Sequence, residues 1–128
     1  MSEYTHPTRP TRILIVEDNP DVAALLRSVL VSYDYHVDVA DDLSALQASR
    51  ENLPDLILLD LMMPTMGGEE AVGRLQEMPE TWDIPIVLMS GVSDLPQRAT
   101  RLGIKDYLSK PFDLDDLLAV VQRALTIA

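Results

Sequence analysis

The feature that most constrains the fold of this chain is the alternation of short apolar runs with segments of helical spacing. Five runs are rich in leucine and β-branched residues, and each has the length of one strand. Between them, apolar residues recur every three or four positions, as along one face of a helix. Strands that alternate with helices predict an α/β fold with a parallel sheet. The five predicted strands are Ile13 to Val16, Tyr35 to Ala40, Leu56 to Leu59, Ile84 to Met89, and Lys105 to Leu108.

The first, third and fourth of these runs are apolar throughout instead of alternating with polar residues. Such strands are typical of a parallel sheet whose two faces are both covered by helices. Right-handed crossovers then place helices on both faces of a doubly wound sheet. We expect its five parallel strands to have the common flavodoxin-like order 2-1-3-4-5. Helix ends agree with this division, because Asn19 and Pro20 can begin the first helix, Asp113 can cap the last, and Gly103 can end the helix before the fifth strand.

The length of 128 residues fits one ordinary domain. Residues 1–11 are polar and interrupted by proline, so we expect a flexible leader there and a single domain over residues 12–126. No apolar stretch approaches the roughly 18 residues that a membrane span needs, and the N-terminus lacks the apolar core of a signal peptide. The chain contains no cysteine, which is compatible with the cytosol. We therefore expect a cytoplasmic protein.

Acidic residues outnumber basic ones by 21 to 10, which gives a formal net charge of -11 at pH 7. A field of that sign repels nucleic acid and anionic membranes. We therefore expect protein partners, and no direct binding to nucleic acid or to a membrane. The charge identifies no particular partner, because an acidic surplus also serves solubility.

Polar and ionisable side chains follow the predicted strands at their carboxyl ends. Glu17 and Asp18 follow the first strand, Asp60 the third, Ser90 the fourth, and Lys110 lies just beyond the fifth. Ligands of doubly wound sheets bind at this edge, where the strand order reverses. Because strands one and three are neighbours in the expected order, the three carboxylates should converge on one pocket.

Three neighbouring carboxylates repel one another unless a cation offsets their charge. Magnesium fits this need, because it takes oxygen ligands and is often held by one or two carboxylates together with phosphate oxygens. An aspartyl carboxylate is an established covalent carrier of phosphate, and a hydroxyl and an ammonium group suit the oxygens of a phosphoryl group. The strand ends therefore predict Mg²⁺ as cofactor and Asp60 as phosphoryl acceptor.

Each of these residues taken alone also has a structural interpretation. Asp18 can cap the first helix, Asp60 can be the polar end of a buried strand, Ser90 can belong to a turn, and Lys110 to a solvated loop. Their joint placement at four strand ends favours a shared site.

Four ordered motifs give the chain a specific resemblance. They are RILIVEDN with its acidic pair, LLDLMMPTMGG around Asp60, LMSG at the fourth strand, and DYLSKPF at the fifth. From Arg12 to about Leu125 the chain resembles the receiver domain of the response regulators of two-component signalling systems. The resemblance implies a phosphoacceptor domain that assists its own phosphorylation and dephosphorylation and is otherwise no enzyme.

The resemblance implies roles for the acidic residues. Asp60 would accept the phosphoryl group from a phosphohistidine of a sensor kinase or phosphotransfer protein. Asp18 and Asp60 would bind Mg²⁺, with Glu17 in the outer shell or acting through water, and the backbone carbonyl of Met62 would complete the protein ligands.

The resemblance also implies roles for three residues of the fourth and fifth strands. Ser90 and Lys110 would contact the phosphoryl oxygens. Tyr107 matches the family's switch aromatic, whose ring turns inward as the serine moves toward the phosphate. A structural alternative is a strand residue with its hydroxyl in water.

Three departures from the family pattern affect the output face more than the chemistry. Ser90 and Lys110 are 20 positions apart, a short spacing that predicts a trimmed fourth helix beginning near Pro96. Val120 stands where receivers of winged-helix transcription factors often carry an arginine used in dimer pairing, so that dimer mode is not expected. Gly67 replaces the acidic or polar residue common before the helix-starting Gly68.

We therefore interpret the chain as a module that switches protein interactions through the face formed by the fourth helix, fifth strand and fifth helix. A diffusible regulator, a relay intermediate and a receiver cut from a longer protein remain open, as do a monomer and a weak homodimer. The rival from another class is a magnesium-dependent phosphatase of the dehalogenase-like type. It is disfavoured, because Asp60 is followed by Leu61 and Met62 and the second acid of a DxD pattern is missing.

Overall fold

The computed structural model describes residues 10–43, 53–63 and 67–126. Most of the expected leader, residues 1–9, lies outside the described residues. The described chain is already tied to the sheet at Thr11, whose carbonyl oxygen accepts a hydrogen bond of 2.9 Å from the His36 amide.

All five predicted strands are present, and they form one parallel sheet in the order β2-β1-β3-β4-β5. The predicted fold class is therefore confirmed. The strands are β1 (Arg12–Val16), β2 (His36–Ala40), β3 (Leu56–Asp60), β4 (Ile86–Ser90) and β5 (Asp106–Ser109).

The strands β2, β4 and β5 begin one or two residues later than predicted. In β2 and β4, hydrogen bonds hold the expected first residues in turns. The Tyr35 amide donates to the Leu30 carbonyl at the end of the first helix, and the Ile84 amide donates to Thr81. Hydrophobic character placed both residues in strands, but their amides are already committed to local partners.

Four helices lie among the described residues: α1 (Pro20–Ser32), α2 (Gly68–Glu77), α3 (Leu95–Arg101) and α4 (Leu114–Leu125). The predicted caps are observed, since Asn19 accepts from the amides of Asp21 and Val22, and Asp113 accepts from that of Asp116. The helix predicted as the fourth, beginning near Pro96, is α3, which begins at Leu95 and spans seven residues. The helix predicted as the fifth is α4. None of the helices described is both long enough and apolar enough to cross a bilayer.

The sheet separates two apolar cores, one on each face. Odd and even strand residues point to opposite faces, so Ile13 and Ile15 face one core while Leu14 and Val16 face the other. One core packs the sheet against α1 and α4, and the second packs it against α2 and α3. Helices thus cover both faces, and the carboxyl edge of the sheet is left as the place where polar side chains gather.

Candidate functional site

Glu17 and Asp60 come together because β1 and β3 are adjacent and in register. Val16 pairs with Leu59, so the residues that follow them meet at the carboxyl edge. The Glu17 amide donates to the Ala40 carbonyl of β2, and the Leu61 amide after Asp60 donates to the Met89 carbonyl of β4. Backbone bonds to neighbouring strands therefore fix both positions.

Three carboxylates meet at this edge, as the sequence predicts. Glu17, Asp18 and Asp60 each offer an oxygen within 4.8 Å of the other two. Glu17 is 3% exposed and Asp60 5% exposed, whereas Asp18 is exposed to solvent. A cluster of oxygen donors with one member open to water is a donor set that suits Mg²⁺.

Lys110 lies just beyond β5 and extends its side chain to two members of the cluster. Its amide donates to the Ser90 carbonyl at 2.8 Å, and its Nζ lies 2.8 Å from Glu17 Oε1 and 3.4 Å from Asp60 Oδ2. The family resemblance implies that Lys110 contacts a phosphoryl group. In the structure the ammonium also offsets the charge of two buried acids.

Burial and neighbouring charges shift the pKa values of Glu17 and Lys110. Burial raises the pKa of Glu17, and the neighbouring Asp60 raises it further, while the hydrogen bond from Lys110 acts in the opposite direction. Burial alone would lower the pKa of Lys110, but the hydrogen bond to Glu17 and the charges of Asp60 and Glu17 outweigh it, so that its pKa is raised. The site therefore holds an ammonium group in its charged form.

Backbone amides orient the two buried carboxylates. The Met62 amide donates to Asp60 Oδ1 at 3.0 Å, and the Asn19 amide donates to Glu17 Oε2 at 3.2 Å. Each acid thus has one oxygen on a backbone amide and the other beside Lys110. Sequence reasoning missed both amides, because any non-proline residue carries such a donor and no side chain marks it.

Ser90 lies at the same edge, at the end of β4. It is 1% exposed, and its Oγ accepts a hydrogen bond of 3.2 Å from the Val92 amide. A hydroxyl that accepts one bond still has its proton to donate. Ser90 therefore offers a donor to an incoming oxygen atom.

Tyr107 lies apart from the acidic cluster. It is 37% exposed and lines a cavity of about 320 Å³ between β5 and α4, together with Val120 and Arg123. Val120 is only 2% exposed and belongs to the core that α4 packs against. The sequence pattern thus links Tyr107 to the site, while the structure places its side chain on the surface formed by β5 and α4.

Comparisons with known proteins bear on this geometry. Residues 13–122 match the model of the response regulator receiver domain. The chain is 41% identical over 119 residues to the sensor histidine kinase TmoS of Ectopseudomonas mendocina, a match that covers 91% of this chain and 12% of TmoS. It likewise spans about half or less of the length of several other curated relatives.

Solved structures agree with the sequence match. The receiver domain of sensor histidine kinase PA1611 from Pseudomonas aeruginosa PAO1, with a magnesium ion coordinated in its active site cleft, superposes with a TM-score of 0.81 at 27% identity, covering 93% of this chain and 100% of that one. The chemotaxis response regulator CheY4 of Vibrio cholerae gives 0.80 at 26% identity, covering 91% and 99%. Both carry the fold and the strand order described above. This chain belongs to the response regulator receiver domain family.

Proposed function

We propose that Asp60 accepts a phosphoryl group from a phosphohistidine of a histidine kinase or phosphotransfer protein, in a reaction that depends on Mg²⁺. The observation that carries the proposal is the position of Asp60, which is buried at a strand end within the acidic cluster and beside the Lys110 ammonium. In the reaction, an Asp60 oxygen forms a bond to phosphorus while the bond from phosphorus to the donor's imidazole nitrogen breaks, and the imidazole leaves with the electron pair.

The donor set supports a magnesium site. Asp18 and Asp60 would hold the ion, Glu17 would act in the outer shell or through water, and the Met62 carbonyl would supply a further oxygen. When bound, the ion neutralises charge on the acids and on the phosphoryl oxygens. The receiver domain of PA1611 binds magnesium in its active site cleft, and we extend that property to this chain.

Ser90 and Lys110 supply the remaining polar contacts in the proposed reaction. The Lys110 ammonium is already 3.4 Å from Asp60 Oδ2, so it is placed to pair with an oxygen of a group bound there. The buried Ser90 hydroxyl can donate to another oxygen. The backbone holds the ends of β4 and β5 beside each other at these residues, since the Lys110 amide donates to the Ser90 carbonyl.

The proposed output runs through Tyr107 and the face formed by α3, β5 and α4. Movement of Ser90 toward a phosphoryl group would draw on the backbone of β5, because Ser90 pairs with Ser109 and Leu88 pairs with Tyr107. The half-exposed ring of Tyr107 would then turn inward and change the surface that a downstream protein contacts. This chain spans only part of several relatives, and we propose a histidine kinase or phosphotransfer protein as its upstream partner and a downstream protein as its target.

The test is labelling by acetyl phosphate with Mg²⁺, followed by intact mass measurement and peptide mapping. We expect one phosphoryl group, located on Asp60, and no labelling of Asp60→Ala or of the wild type in EDTA. Asp106→Asn is the matched control, because Asp106 is equally buried, at 4% exposure, but stands at the opposite end of the sheet. Labelling that survives in Asp60→Ala would refute the proposal, and repeated turnover of a phosphate ester would support the dehalogenase-like alternative.

A further inference from the structure

Gly68 begins α2 in direct contact with the backbone that follows Asp60. A Cβ atom at Gly68 would collide with the Cα of Leu61 and would lie 2.6 Å from its carbonyl oxygen and 2.8 Å from its carbonyl carbon. These are backbone atoms, which cannot rotate away as the end of a side chain can. Among the glycines, the positive φ belongs to Gly103 and not to Gly68. A glycine is therefore required at position 68 for space and not for an unusual backbone conformation.

Leu61 cannot easily yield to such a collision. Its side chain is 3% exposed, and its amide donates to the Met89 carbonyl of β4 at 2.9 Å. Its own carbonyl accepts a hydrogen bond of 2.9 Å from the Gly68 amide, and the next pair, Met62 and Gly67, forms an isolated antiparallel bridge. The start of α2 is thus fastened to the residues immediately after the acceptor.

This fastened backbone also holds the acceptor. The Met62 amide donates to Asp60 Oδ1, and in the proposed function the Met62 carbonyl is a ligand of the metal. One peptide segment therefore orients the acceptor carboxylate through a donor and serves the metal through an acceptor. A displacement at Gly68 would pass through Leu61 and Met62 to both.

We propose that Gly68 is a positioning residue for the metal and acceptor site, acting through the backbone of Leu61 and Met62. The inference rests on the proposed function, because it assigns the Met62 carbonyl to Mg²⁺. Loss of the close approach between Gly68 and Leu61 changes the affinity for the metal, in addition to any change in the stability of the fold.

The experiment compares Gly68→Ala with two matched variants, Gly67→Ala and Gly73→Ala. A Cβ at either control position has no heavy atom within 4 Å, so these variants add the same methyl group in open space. We expect Gly68→Ala to raise the Kd for Mg²⁺ roughly 10–100-fold, as loss of outer support of metal ligands does. Both controls should keep the wild-type Kd, measured by calorimetric titration.

A second readout needs no metal. In EDTA, hydrogen exchange of the amides of residue 68 and Met62 should be faster in Gly68→Ala than in the wild type and unchanged in Gly73→Ala. A folded Gly68→Ala protein with wild-type affinity for Mg²⁺ would overturn the inference, whatever its melting temperature.

Linkage supplies a test in the wild type, which decides the matter if Gly68→Ala does not fold. Coupling is reciprocal, so Mg²⁺ should slow exchange of the Gly68 and Met62 amides more than that of the β4 amides. Equal slowing at all of these amides would overturn the inference about Gly68 and leave the proposed function standing. A wild type that binds no Mg²⁺ would overturn the inference together with the metal part of the proposed function.

Discussion

At the scale of single residues, Lys110 offsets the charge of the metal-free site, and in the proposed function it also pairs with the phosphoryl group. Its ammonium lies 2.8 Å from Glu17 and 3.4 Å from Asp60, so it offsets two acids that burial would otherwise destabilise. A raised lysine pKa in the folded state contributes stability that is present below the unfolded-state pKa and is lost as the pH rises through the folded value. The stability that Lys110 contributes is therefore lost at alkaline pH, as the lysine loses its proton.

We expect Lys110 in the metal-free protein to titrate above the ordinary value of 10.5, and Glu17→Gln to lower its pKa. The reason is that Glu17 supplies the hydrogen bond and part of the negative charge that raise this pKa. Lysine labelled with ¹³C at Cε reports the titration by NMR in EDTA. The chain has two lysines, Lys105 and Lys110, so a Lys105→Arg variant assigns the signal. A Lys110 pKa that stays the same in Glu17→Gln would contradict this account.

At the scale of elements, α4 is joined to β5 by an ion pair with a buried acid. Arg123 Nε lies 2.9 Å from Asp106 Oδ1, and the Asp106 side chain is 5% exposed. The pair between Arg74 and Glu70 has nearly the same length, 2.8 Å, but both of its side chains are more than half exposed. Because water screens the exposed pair, equal distances correspond to unequal energies.

We expect Arg123→Ala to lower the free energy of unfolding by about 1–2 kcal/mol, because it removes the cation that binds a buried carboxylate. Arg74→Ala should cost less than about 0.5 kcal/mol, the usual value for an exposed pair within one helix. Urea denaturation of both variants at the same ionic strength measures the difference. Equal losses in the two variants would show that burial of Asp106 contributes nothing.

Elements were largely predictable because their signals are local. The apolar runs located all five strands, and Asn19 and Asp113 marked two helix starts. The starts of β2 and β4 were predicted too early, because the turn bonds of Tyr35 and Ile84 depend on which carbonyl comes within reach. The close approach at Gly68 has no sequence signal beyond the glycine itself.

At the scale of the whole molecule, the site exists only in the folded sheet. The contact between Lys110 and Glu17 joins residues 93 positions apart, and the acids converge because β1 and β3 are neighbours. Strand-end placement and the expected strand order predicted which residues gather there. The distances were not predictable, because they depend on backbone bonds such as those of the Met62 and Asn19 amides to the two buried acids.

This gathering of acids gives Asp18→Ala opposite effects without and with metal. Without Mg²⁺ the variant removes one of three mutually repelling carboxylates, so we expect its melting temperature to rise by roughly 1–3 °C. With Mg²⁺ at about 100 times the wild-type Kd, the wild type gains about 2.7 kcal/mol, whereas the variant has lost a proposed ligand and gains less. The two stability curves should therefore cross as Mg²⁺ is added.

Thermal unfolding over a series of Mg²⁺ concentrations at constant ionic strength measures this crossing. Asp115→Ala is the matched control, because it removes the same charge from an exposed position in the first turn of α4, outside the acidic cluster. Its response to Mg²⁺ should equal that of the wild type. If Asp18→Ala is less stable than the wild type already in EDTA, repulsion among the acids does not determine the stability of the metal-free fold, and the Lys110 ammonium alone suffices to offset them.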